Sequence, residues 1–167
     1  MRNYNWVKWL VYAIVIFFVC LIQTNPEFPR ILQNGPLLAI PAVITLSMFE
    51  GENAGAAYGI AAGLIWDVQT GQVFGYNAFF LLIAGIMVGL MIKYLFSRSL
   101  FTDIFLTLGI SFGFELLSWF FFYYMTGRGE FLFFLVHVIL PTVFYTALFT
   151  IPIYYGVRRI NRKLTAA

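Results

Sequence analysis

The sequence predicts an all-α polytopic membrane protein on three observations: an apolar fraction far above that of soluble domains, a series of apolar segments of helical length, and basic residues beside those segments. Of 167 residues, 62% are apolar and 10% charged, against roughly 25% charged and 45–50% apolar in ordinary soluble domains. So small a globule has too little interior to hide that excess. A helix crossing the hydrocarbon core needs about 20 predominantly apolar residues. The chain therefore accommodates about six spans with short loops, in one membrane domain over residues 1–167. No linker, charge run or low-complexity tract divides it.

The net charge of +3 does not indicate nucleic acid, because the basic residues do not cluster with interleaved aromatics on a soluble module. Cys20 is the single cysteine and lies in an apolar run. It excludes an intrachain disulfide and a cysteine metal site, and reads as a packed or lipid-facing residue.

The first segment, 6–22, follows Arg2 and Lys8 as a signal peptide would. Gln23, Thr24 and Asn25 then offer no small-residue cleavage site, and Phe18 and Val19 are too bulky to precede a lipoprotein cysteine, so the segment reads as an uncleaved first helix. The NPEFPR turn that follows ends it, since its two prolines cannot continue a helix. Segments 36–49 and 54–66 come next, joined by the acidic turn of Glu50, Gly51, Glu52 and Asn53. At 1.5 Å per residue each reaches only about 20 Å, against a hydrocarbon core of about 30 Å. They are either short tilted spans or a re-entrant hairpin buried in protein. A polar, glycine-rich loop over 67–77 leads into a fourth helix, 78–96, with Lys93 snorkelling from its end. Segments 104–125 and 131–157 complete the set. Pro141 and Pro152 predict kinks in the last one, where neighbouring helices satisfy the freed backbone groups.

Orientation follows from lysine and arginine. With six crossings and a cytoplasmic N-terminus, Arg2, Lys8, Lys93, Arg98, Arg158, Arg159, Arg162 and Lys163 fall inside, and only Arg30 and Arg128 outside, eight against two. A re-entrant hairpin at 36–66 would remove two crossings and leave both termini cytoplasmic.

The strongest local pattern is a run of glycines at intervals of four, Gly51, Gly55, Gly59 and Gly63, continued in the same spacing by Asp67, Gly71 and Gly75. Residues four apart share a helix face, so Gly55, Gly59 and Gly63 form a groove that admits another backbone, from this chain or from a partner. The pairs Gly85 with Gly89 and Gly109 with Gly113 repeat the motif more weakly. Asp67 reads as a helix-end or loop cap, or as a polar anchor for the glycine-rich loop. Glu115 lies deep in the fifth segment, with Ser111, Ser118 and Trp119 on its face by helical spacing. An intramembrane carboxylate costs on the order of 3 kcal/mol and faces a bundle interior or cavity. Glu115 is therefore the candidate buried polar residue, with His137 of the sixth segment as its candidate partner.

No HExxH, GxSxG, P-loop or paired catalytic carboxylate occurs, and one histidine cannot build a multi-histidine metal site. No catalytic or metal-ligating residue is assigned and no cofactor is implied. No internal repeat of the secondary-transporter kind is evident either. A small channel would need a polar stripe along a helix, and none stands out.

The segment EGENAGAAYGIAAGLIWDVQTGQVFGYNAFF, residues 50–80, resembles the central signature of the rod shape-determining protein MreD family. The short hydrophobic pair, the chain length and the basic C-terminal end are similar too. The matching positions are Gly55, Gly59 and Gly63 for the glycine helix, Asp67 at its end, and Gly71 with Gly75 for the loop. Family members often carry an acidic residue after the proline opening the second segment, where this chain has Leu37 after Pro36. Glu115 matches no family role. The resemblance implies a non-enzymatic scaffold of the bacterial cell-elongation machinery in the cytoplasmic (inner) membrane. Such a scaffold binds MreC, a single-span protein, and links MreB filaments to the peptidoglycan synthases. The alternative from another class is the substrate-binding membrane subunit of an energy-coupling-factor vitamin transporter, also of six helices, which a ligand pocket would distinguish.

Overall fold

The computed structural model describes residues 3–25, 36–70, 73–125 and 131–165. Arg2, the turn after Asn25, Gly71 and Arg128 lie outside the described residues. Helices account for nearly all of the described chain: α1 (Asn3–Thr24), α2 (Ala39–Glu50), α3 (Glu52–Thr70), α4 (Tyr76–Tyr94), α5 (Leu100–Trp119), α6 (Phe131–Phe134) and α7 (Leu140–Thr165). A π-helical turn, Phe120–Tyr124, extends α5, and another, Leu135–Ile139, joins α6 to α7.

Tyr76–Tyr94, Leu100–Phe122 and Leu132–Lys163 are long and apolar enough to cross a membrane, and Val7–Gln23 and Ala39–Glu50 are shorter apolar helices. The surface agrees with that reading. Phe79, Phe101, Phe105, Phe144 and Leu148 are largely exposed, whereas Thr45, Thr107, Ser111, Thr146 and Thr150 are fully buried. Aromatic and aliphatic side chains outside, with hydroxyls inside, suit a hydrocarbon solvent and would be costly in water.

α2 is the central element. It is apolar all round, and every residue from Ala39 to Met48 is buried, as a helix without a polar face must be. α1, α3, α4, α5 and α7 surround it. Polar contacts hold both of its ends. The Ala39 amide donates to Gln23 Oε1 at 2.8 Å, and the Leu37 amide to Thr146 Oγ1 at 3.0 Å. At the other end Glu50 accepts from Asn161 at 2.6 Å and Tyr12 at 3.1 Å, and pairs with Lys8 at 2.6 Å. α2 thus runs antiparallel to α1, from Gln23 in the last turn of α1 to Lys8 near its start.

The α2–α3 turn is made by Gly51, whose φ of +92° is open to glycine at little cost. It sits at the charged end of the bundle with Lys8 and Asn161. α3 is longer than the expected 54–66, and carries Asp67 within its last turn rather than beyond it. The last segment also runs further than expected, to Thr165. Pro141 follows the π-helical turn. A wider turn there relieves the clash between a proline ring and the carbonyl four residues earlier. Pro152 is accommodated inside α7.

Candidate functional site

Among the described residues, helices α3 and α4 share the most extensive contact, and the glycine stripe is its cause. A Cβ added at Gly55 would stand 2.6 Å from the Gly85 carbonyl oxygen; at Gly59, 2.8 Å from the Leu81 carbonyl carbon; at Gly63, 2.7 Å from the Asn77 carbonyl carbon. The fit is reciprocal, with Gly85 against the Gly55 backbone and Gly89 against that of Glu52. Two backbones therefore touch over several turns, an approach only small residues permit. Of the two uses open to the groove of Gly55, Gly59 and Gly63, the structure has the internal one: α4 of the same chain fills it. Gly109 and Gly113 on α5 have open space instead.

Asp67 closes the far end of this hairpin. Its carboxylate is buried and accepts three backbone amides: Gly75 at 2.9 Å and Ala78 at 3.3 Å on Oδ2, and Asn77 at 3.1 Å on Oδ1. These are amides at the start of α4, otherwise without intrahelical partners, and a negative charge there also meets the positive end of the helix dipole. Gly75, at φ +94°, adopts the left-handed turn that starts α4 and brings its amide onto the carboxylate. The expected anchor role for Asp67 thus has a geometry. The loop it holds presents Val73 and Phe74, 62% and 70% exposed.

An aromatic cluster backs the hairpin against α5. Phe114 packs on Trp66, Tyr76 and Phe80 with ring centroids 4.9–5.9 Å apart, and the Tyr76 hydroxyl meets Ser118 Oγ at 3.2 Å. At the opposite end, Lys93 donates to Glu52 at 2.9 Å, and that hydrogen bond lowers the Glu52 carboxyl below its ordinary range. A cavity of about 280 Å³ opens beside this pair, with Met48 and Ile92 in its wall as well as Glu50, Glu52, Lys93 and Arg98.

Glu115 is half-buried rather than fully enclosed. His137 is not its partner: the imidazole is exposed, stacks on Phe133 at 4.4 Å, and meets the Phe133 carbonyl oxygen at 3.1 Å in its own helix. The fully buried acid of α5 is Asp103, which accepts from Thr45 Oγ1 at 2.8 Å. It begins a four-residue repeat, Asp103, Thr107, Ser111, Glu115, so α5 carries a polar stripe where none was expected. Glu50 is a second omission. Nothing in the sequence links it to Tyr12 and Asn161, 38 and 111 positions away.

Neither a curated protein nor a solved structure matches the chain. The family model for the rod shape-determining protein MreD matches residues 2–164. That span takes in the glycine hairpin, the Asp67 clamp and the enclosing helices, and the chain belongs to the rod shape-determining protein MreD family.

Proposed function

We propose that the chain acts in rod-shape determination as a non-enzymatic scaffold of six membrane spans, with both termini cytoplasmic, in the bacterial inner membrane. Its clamped α3–α4 hairpin presents the outer loop to an MreC-like single-span protein. Through that partner it connects MreB filaments to peptidoglycan synthesis. The observation carrying this reading is the three-amide clamp of Asp67. A buried carboxylate that accepts three backbone amides shapes a loop, and that loop leaves Val73 and Phe74 exposed. In this reading Gly55, Gly59 and Gly63 serve the partner indirectly, by making the hairpin rigid, and Asp67 and Gly75 serve it by shaping the loop.

The orientation is supported by Lys8, Lys93 and Arg98, which gather at the Glu50 end of the bundle, with Arg158, Arg159, Arg162 and Lys163 flanking Asn161 on α7. The family match lends no support to the vitamin-transporter alternative.

Co-purification tests the assignment. Phe74→Ser, paired with Val73→Ser, should leave accumulation unchanged, release the single-span partner and round the cells. Retention of the partner and of rod shape by that variant would remove the loop from the interface.

A further inference from the structure

Among the described residues, four buried side-chain polar atoms have no hydrogen-bond partner: Asp103 Oδ1, Thr107 Oγ1, Ser111 Oγ and Thr142 Oγ1. Three belong to α5 at intervals of four residues and so share one face, spanning about 12 Å. The fourth is on α7, in a row with the buried Thr146 and Thr150. α2, α5 and α7 touch one another, and α2 is bonded to Asp103 through Thr45 and to Thr146 through the Leu37 amide. The orphaned atoms therefore mark one junction of α2, α5 and α7.

A carboxylate removed from water is tolerated as an anion only with compensation. Asp103 is fully buried, and no lysine, arginine or histidine among the described residues pairs with it. The start of α5 supplies a partial positive charge, and Thr45 satisfies Oδ2. Oδ1 remains, one turn from the free hydroxyl oxygen of Thr107. We propose that this junction binds a small monovalent cation, sodium in the first instance, with the Asp103 carboxylate as its anionic ligand and Thr107 Oγ1 as a neutral one. Carboxylate and hydroxyl oxygens are hard donors that favour hard cations, and a single carboxylate matches one positive charge, whereas divalent ions gather several. Thr45 positions the carboxylate, and Ser111 and Thr142 continue the oxygen row beyond the ion. The competing state is a proton on Asp103, which would show no dependence on the cation supplied.

The test uses the full chain in detergent or nanodiscs, titrated with sodium chloride at constant ionic strength, choline making up the difference. Wild-type protein should unfold at a temperature that rises with sodium, as ligand linkage requires, and should retain radioactive sodium in a binding assay. Asp103→Asn should abolish both responses. Thr107→Val, which keeps the charge, should raise the sodium midpoint about tenfold, the loss expected for one contact to a charged group. This variant keeps the test open should Asp103→Asn fail to accumulate. An unfolding temperature and binding signal equal in sodium and choline would overturn the site. So would a full sodium response in Asp103→Asn, or an unshifted midpoint in Thr107→Val.

Discussion

Asp67 holds the amides of Gly75, Asn77 and Ala78 at the start of α4. Replacing it with alanine leaves three amides at the start of α4 facing a buried space, a loss on the order of 3 kcal/mol given that bonds to a charged acceptor are involved. Asp67→Ala should therefore lower the thermal midpoint of the purified protein and loosen the Val73–Phe74 loop, measured as faster protease cleavage there. Asp67→Asn, with one acceptor oxygen in place of two, should fall between. A midpoint unchanged in both variants would mean that the carboxylate bears no load. Glu115 makes a contrast. It is half-buried. Glu115→Gln should accumulate normally, while Glu115→Lys sets a strongly hydrated cation within an apolar helix and should reduce the amount in the membrane. Equal amounts of both would place the side chain in water or at the interface.

At the scale of elements, small-xxx-small spacing marks a surface that another backbone can approach, and the fold decides whether one does. The stripe of α3 is filled by α4; that of α5 is open. Gly59→Leu must displace the Leu81 backbone, with no lipid-driven hydrophobic gain to compensate, so the protein itself should be lost from the membrane. Gly109→Leu meets open space and replaces a poor helix former with a good one, so it should accumulate at least as well as wild type. Immunoblots of membrane fractions separate the two. Normal levels of Gly59→Leu would show that α3 and α4 need not touch. α2 follows a different logic. A helix of twelve residues is short for a bilayer crossing, yet it is enclosed by its neighbours and pinned at both ends, so its length need not match the membrane.

For the whole molecule, the Glu50 end gathers the start of α1 and the ends of α2, α4 and α7, with the cations these helices carry. Reporters fused before Asn3 and after Thr165 should both read cytoplasmic, and one inserted at Phe74 should read external, under the positive-inside rule. A cytoplasmic signal at Phe74 would invert the bundle and remove the loop from the partner's reach.

Much of this was legible in the sequence because it depends on local quantities. Apolar content and segment length determined the helical membrane class. The four-residue glycine period determined that a backbone would be closely approached, and Asp67 ahead of a glycine-rich loop read as a cap or an anchor, without the amides of Gly75, Asn77 and Ala78 that it binds. Only tertiary structure decided which surface fills the glycine groove, that α2 is the core, that Glu50 joins Lys8, Tyr12 and Asn161, and that Asp103 rather than Glu115 is the fully buried acid of α5. In hydrocarbon an apolar residue looks the same facing lipid or facing a neighbouring helix, so hydrophobic periodicity loses its power to separate inside from outside. The burial of each polar group is then set by which helices meet, and that is a property of contacts between residues far apart in the chain.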